Sequence, residues 1–220
     1  MRGPRLGASY RRALLDAELQ RLAAGLSGLV LDVGGKRVPR GKFTRPERSV
    51  RRWVLLNLAK DEAPDVVGSA EALPFKSDSV GGILCSEVIQ YVDRYDAMLA
   101  EFRRVLVPGG RILLSAPLLH RLDHPMDRHR FSAGRLCELF ARAGLEVEAV
   151  TQQGRFFTTL AHMLRQAAAH VRSRPLRALA AVPVLTGGAC LRLLDRLPPV
   201  GRSAFLSSYT TGYVVIARRL

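Results

Sequence analysis

The chain has little cysteine, few aromatic residues and, in its last third, almost no acid. Its three cysteines, Cys85, Cys137 and Cys190, are far apart and odd in number. That argues against a disulfide framework and against a zinc site, and predicts idle thiols in a reducing interior. Aromatics make up only 6% of the residues. They do not recur among the basic positions as a nucleic-acid-stacking surface requires, so nucleic acid is not an expected partner. The opening stretch from Met1 to Tyr10 has no apolar signal region, which predicts a cytoplasmic protein. Residues 151–220 contain one acid, Asp195. The stretch Ala178–Leu191 is uncharged, but Pro183, Gly187 and Gly188 interrupt it. It reads as too short and too broken to span a membrane.

What is present is the composition of a globular protein, 48% hydrophobic and 24% charged over 220 residues. That is enough for one cored domain and an appendage. The net charge of +15 is unevenly placed. Residues 1–60 balance to +10 (14 Lys+Arg, 4 Asp+Glu), 61–150 to −4 (10 against 14) and 151–220 to +9 (10 against 1). Basic flanks suit nucleic acid, an anionic membrane surface or a phosphorylated substrate; an arginine-rich compositional bias would also produce them.

Periodicity predicts an amphipathic helix over residues 9–25, from Leu14, Leu15, Leu19 and Leu22. Strands follow at Leu29–Val33, Trp53–Leu58, Asp65–Gly68, Val80–Ser86, Arg111–Ala116 and Leu145–Val150, with a last one at Tyr209–Ala217. Helices are expected at Asp96–Leu106, stopped by Pro108-Gly-Gly110, and from an N-cap at Ser132 to near Gly144. This alternation predicts an α/β fold, a doubly wound, mostly parallel sheet, with a helical insert before the last strand. The expected division is 1–154 and 201–220 for the α/β domain and 155–200 for the apolar, basic insert.

The chemistry starts at Gly28-Leu-Val-Leu-Asp-Val-Gly-Gly-Lys-Arg37. An apolar run that ends in an acid and two glycines is how a buried strand reaches a nucleotide-binding turn. Lys36 and Arg37 stand where a glycine-rich loop would carry another glycine. Asp32–Gly35, Asn57, Ser69–Glu71 and Ser86–Glu87 each follow a strand and are expected to line one crevice at the switch point.

Four segments carry a family resemblance: Leu-Asp-Val-Gly-Gly35, Asp-Val-Val-Gly-Ser-Ala-Glu-Ala-Leu-Pro-Phe75, Gly-Ile-Leu-Cys-Ser-Glu-Val-Ile-Gln-Tyr91 and Arg-Val-Leu-Val-Pro-Gly-Gly-Arg-Ile-Leu-Leu-Ser-Ala-Pro117. In this order they resemble the class I S-adenosylmethionine-dependent methyltransferases of the type-11 family, over roughly residues 28–150. The similarity extends to a subgroup associated with glycan and envelope biosynthesis, through His124-Pro-Met-Asp127, Arg130-Phe-Ser and Ala143-Gly144-Leu. The resemblance implies S-adenosyl-L-methionine as cofactor. It implies that Gly34 and Gly35 pass close to its methionine part, oriented by Asp32. Asn57 would bond the ribose, Ser69, Ala70 and Glu71 would border the adenine, and Ser86 and Glu87 would sit beside the methionyl end. An oxygen or nitrogen acceptor needs a base, for which Tyr91, His124 and Asp127 are the candidates. Two positions depart from the family: Ser69 and Gly81 stand where Asp is usual. Each departure is expected to weaken cofactor affinity by roughly 1–3 kcal/mol, with Glu71 partly standing in for Ser69.

The polar segment His120–Arg130 has three histidines among arginines that would repel a cation, so no metal is expected and a substrate-pocket wall is. The insert has three readings: a packed helical cap, a membrane-interface element with arginines at the headgroups, or a protein-binding surface. The expectation is a cytoplasmic methyltransferase, peripheral at the inner face of the membrane if the second reading holds, acting on a small-molecule, glycan or lipid-linked envelope precursor. The alternatives are a non-catalytic binding or scaffold protein of the same fold and an RNA methyltransferase. The sequence carries no signal for oligomeric state.

Overall fold

A computed structural model describes residues 9–38, 41–122 and 124–220. Pro39 and Arg40, after the Lys36-Arg37 pair, and Asp123 of the polar segment lie outside the described residues. Strands β1 (Gly28–Val33), β2 (Val50–Asn57), β3 (Val66–Val67), β4 (Val80–Ser86), β5 (Leu106–Pro117), β6 (Leu145–Gln152) and β7 (Gly212–Arg219) form one 7-stranded sheet in the order β3-β2-β1-β4-β5-β7-β6. β1 to β5 pair in parallel. The order reverses between β1 and β4, which opens a crevice at their carboxyl ends.

Strand alternation sorts the apolar residues onto two faces. Val30, Leu84, Leu113 and Val214 face α1 (Tyr10–Leu22), which buries Leu15 and Leu19 on them. Leu31, Ile83, Ile112 and Leu114 face α2 (Tyr95–Val105) and α3 (Ala133–Arg142), which bury Met98, Phe102, Leu136 and Phe140. Each such side chain contributes about 1.5–3 kcal/mol by leaving water. Both helix starts carry hydroxyl caps: Ser9 Oγ accepts from the Arg12 amide at 3.1 Å, and Ser132 Oγ from the Arg135 amide at 3.2 Å.

Three features go beyond the expected pattern. First, the exception in the mostly parallel sheet is β7, which runs antiparallel between β5 and β6. The helices after β6 return the chain at the edge where β6 ended, with Gly212 opposite Pro117 and Tyr213 opposite Gln152. The strand can then only run back. Second, Pro108–Gly110 does not turn the chain away. β5 already begins at Leu106, opposite Val80, and an irregular register with Gly109 at φ 75° absorbs the glycines before Arg111 pairs with Gly82.

Third, the insert extends beyond residue 200 and its middle is not broken. It comprises α4 (Phe156–Ala169), α5 (Arg174–Leu194), α6 (Pro198–Arg202) and α7 (Ala204–Ser207). α5 runs through Pro183, whose ring lies on the exposed side, where water can satisfy the carbonyl that loses its partner. Gly188 is the close-approach residue, because a Cβ there would lie 2.7 Å from the Tyr10 hydroxyl. The 20-residue stretch Pro175–Leu194 is long and apolar enough to cross a membrane by length and composition. Asp195, just beyond α5, accepts the amides of Arg155 at 2.9 Å, Phe157 at 3.1 Å and Thr158 at 2.9 Å, and so caps α4.

Gly81 is also relocated in meaning. It sits at the start of β4, at the opposite end from Ser86 and Glu87. A Cβ there would lie 2.3 Å from the Ser27 carbonyl oxygen and 3.4 Å from Gly28 Cα. The expected penalty to cofactor binding is therefore replaced by a packing requirement: the strand start and the Ser27–Gly28 backbone touch too closely for any side chain.

Candidate functional site

The carboxyl ends of β1, β2 and β4 open into a cavity of about 760 Å³. Asp32, Gly34, Gly35, Asn57, Ser69, Ala70, Glu71, Ser86 and Glu87 all line it, as do Tyr91 and His124. Asp127 does not: its carboxylate is buried and held by Arg130, with Nη2 donating at 2.8 Å. The catalytic candidate Asp127 is thus moved from the cavity wall to an ion pair that shapes the following loop.

The turn after β1 is rigid for steric reasons. Gly34 has φ 72°, and its amide donates to the Leu56 carbonyl at 2.8 Å. A Cβ on Gly34 would fall 2.3 Å from Val88 Cγ2, and one on Gly35 would fall 2.5 Å from the Asp32 carboxyl carbon. Both glycines therefore leave room that no other residue would. Asp32 itself is paired with Arg45, whose Nη2 and Nε donate to Oδ2 at 2.7 and 2.9 Å. Burial pushes its carboxyl above the usual range, and the Arg45 charge pulls it back. Lys36 pairs with Glu62 on the cavity wall and Arg37 with Asp65, so the basic pair leaves the turn intact.

The polar side chains along the crevice are already bonded. Asn57 donates through Nδ2 to the Gly35 carbonyl at 3.0 Å and accepts the Ala59 amide at Oδ1, also at 3.0 Å. One N–H and one lone pair of that amide stay available in principle. Ser69 Oγ accepts the Glu71 amide at 3.1 Å. Glu71 lines the same wall, its two oxygens accepting from Arg94, from Nε at 3.0 Å and from the backbone amide at 3.3 Å. Glu87 adopts φ 60° and accepts from Ser115 Oγ at 3.0 Å and from the buried Arg11 of α1.

Four polar lining residues received no individual role from the sequence and bear on the chemistry. Arg11 and Arg45 come from elements with no motif of their own. Gln90 lay inside the quoted motif but was given no role. It is 2% exposed, and its Oε1 has no hydrogen-bond partner among the described residues. A buried acceptor left without a donor is what a bound ligand with an ammonium or hydroxyl group would satisfy. His120 is the fourth. It also lines a second cavity of about 330 Å³ with Leu118, Leu119, His162 and Met163.

Two imidazoles differ sharply. His124 Nδ1 accepts the Met126 amide at 3.1 Å, so the neutral ring carries its proton on Nε2 and offers a donor rather than a base. His162 stacks on His120 with centroids 5.8 Å apart. Burial, then the charges of His120, Arg11 and Arg165, lower its pKa from 6.5 to about 4. The unfolded chain binds this proton near pH 6.5 and the native state only near 4, so its contribution to stability is full above about 6.5 and falls as pH drops to about 4. The expected loss across that window is about 3 kcal/mol. Urea unfolding of the native chain and of His162→Leu at pH 4, 5, 6 and 7 reads it. The variant's profile should be flatter, and parallel profiles would rule His162 out as the source.

Residues 51–114 match the family model described as "Methyltransferase domain". The ubiquinone/menaquinone biosynthesis C-methyltransferase of Brucella anthropi is 36% identical over 107 residues, 47% of this chain and 37% of that protein. The malonyl-acyl-carrier-protein O-methyltransferase of Methylococcus capsulatus is 46% identical over 50 residues, 23% of this chain and 18% of that protein. Matched segments span 13% to 37% of the length of such curated relatives. Among solved structures, geranyl diphosphate C-methyltransferase from Streptomyces coelicolor superposes with a TM-score of 0.58 at 15% identity, covering 99% of this chain and 85% of that one. The likeness to that structure is one of fold.

Proposed function

We propose that this chain, whose residues 51–114 match the methyltransferase family model and whose sheet has the fold of solved methyltransferases, is a class I S-adenosylmethionine-dependent methyltransferase that transfers a methyl group to an acceptor with an apolar, lipid-like part. The observation that carries the transfer is the convergence of nine strand-end residues on one cavity around a turn that only glycines allow. The cavity suits the cofactor in two further ways: the orphan Gln90 Oε1 awaits a donor, and the Gly34–Gly35 backbone can approach a ligand closely. Bound there, S-adenosylmethionine would supply an electrophilic methyl group on a sulfonium.

The chain's own groups would do the rest by holding and aligning. Asp32, fixed by Arg45, would orient the turn. Asn57 and Ser69 would offer their remaining hydrogen-bonding capacity to the ribose and adenine. Glu87 and Ser86 would border the methionyl end. Tyr91 and His124, with ring centroids 6.0 Å apart, would face the acceptor, and His120, which lines both cavities, would meet it from the other side. Alignment and exclusion of water supply much of the rate in such a displacement. The lipid-like character of the acceptor rests on the second cavity, where Leu118, Leu119 and Met163 form the apolar part of a wall completed by His120, Arg121, His162 and Gln166.

Calorimetric titration with S-adenosylhomocysteine is the first test: saturable binding is expected, and none at millimolar ligand would end the reading. Incubation with methyl-labelled S-adenosylmethionine and bacterial lipid extract, or soluble glycans, is the second. Label should appear in the organic phase. A second reading, a binding protein without chemistry, draws on the pairing of Asp32 with Arg45 and of Glu71 with Arg94. It expects ligand binding but no incorporation into either acceptor pool.

A further inference from the structure

α5 turns one face to solvent along its whole length. Leu176, Leu179, Val182 and Leu193 on that face are 59%, 73%, 66% and 56% exposed. Between Arg177 and Arg192 the helix has no charged residue at all. α4, which packs on α5, exposes Met163 and Leu164 as well, and α7 exposes Phe205. Exposed apolar surface of this extent marks a docking site.

The charges around it identify the occupant. Residues 151–220 carry 10 arginines and one acid. That acid, Asp195, is 6% exposed and is turned inward to cap α4. The segment therefore shows solvent no acidic side chain. Arg172 precedes α5, Arg196 follows it and Arg202 ends α6, all three exposed. A second copy of this face would bring arginine against arginine. An anionic bilayer offers both what the apolar side chains need and what the arginines need.

The opposite face of α5 decides how it would sit. Gly188 packs on Tyr10 of α1, Arg192 lies 4.8 Å from the centre of the Tyr10 ring, and Arg177 Nη1 donates to the Val171 carbonyl at 3.3 Å. A spanning helix is surrounded by lipid or by other spanning elements, whereas this one has its inner side packed on α4 and against Tyr10 of α1. We infer that α5, with α4 beside it, is a membrane-docking face that lies in the headgroup region of an anionic lipid bilayer. This does not depend on methyl transfer.

The chain supplies its own reporter, because Cys190 is exposed on α5 and Cys85 is buried. In the full-length Cys137→Ser protein, an environment-sensitive fluorophore on Cys190 should shift to the blue with vesicles of equimolar phosphatidylglycerol and phosphatidylcholine. The protein should float with these vesicles, less at high salt, and weakly with phosphatidylcholine alone. Leu179→Glu and Leu193→Glu, each on the exposed face, should each reduce partitioning at least tenfold while S-adenosylhomocysteine binding and circular dichroism are unchanged. Three results would overturn the inference: no flotation with the anionic vesicles, flotation unaltered in both variants, or a dimer in sedimentation equilibrium that the same substitutions dissolve. Failure of the wild-type chain to bind S-adenosylhomocysteine would strike the methyltransferase reading alone.

Discussion

Gly34→Val is expected to weaken S-adenosylhomocysteine binding by at least about 100-fold, equivalent to about 3 kcal/mol. Two effects add. At φ 72° a β-branched residue is strained, at about 1–2 kcal/mol. Its Cβ would also be driven into Val88, whose Cγ2 lies 2.3 Å away, and overpacking of this kind costs about 1–3 kcal/mol. The chain relieves the clash by moving either the turn or Val88, and both line the cavity. Gly34→Ala with Val88→Ala separates the two effects. Removing the valine methyls should restore part of the binding, and the part that stays lost is the backbone strain. Calorimetry and thermal unfolding of the four proteins close the cycle. If Gly34→Val binds like the native chain, the turn does not approach the ligand.

Glu87→Ala is expected to remove about 3–5 kcal/mol of stability, the usual consequence of stranding one partner of a buried ion pair. The side chain of Arg11 is 8% exposed and that of Glu87 18%, so water from the cavity replaces the lost carboxylate only in part. Arg11 Nε also donates to the Thr211 carbonyl at 3.3 Å, which joins α1, the end of β4 and the start of β7 at one point. Denaturant unfolding measures the loss. The double change Arg11→Met with Glu87→Met should recover most of it, since replacing both charges by apolar groups is often neutral. Glu87→Gly should be about 1 kcal/mol more stable than Glu87→Ala, because glycine adopts φ 60° without strain. An additive double variant would show that the two residues do not depend on each other.

Much of the site was legible because its elements are local. An apolar run ending in Asp32-Val33-Gly34-Gly35 specifies a strand and a turn within eight residues of sequence. The same holds for the strands ending at Asn57 and Ser86 and for the hydroxyl caps Ser9 and Ser132. Side-chain pairing was not legible. Arg45 comes to Asp32 across a loop, Arg11 to Glu87 across 76 positions, and Arg130 withdraws Asp127 from the cavity. In a chain this rich in arginine, every acid has several eligible partners, and only three-dimensional placement selects one. The continuity of α5 was misread for a related reason. Pro183 and two glycines lower local helix propensity, but one side of the helix is held by α4 and Tyr10, and packing outweighs propensity.

The sequence by itself determined the parallel strands, their switch point and the glycine turn at the end of β1, because side-chain period and backbone sterics act over a few residues. Tertiary structure alone decided the direction of β7 and the meaning of Gly81, which depend on contacts between segments remote in sequence. It also decided which charges are buried in pairs and which face outward. Coulomb attraction and desolvation depend on distance in space, and the order of residues does not fix that distance.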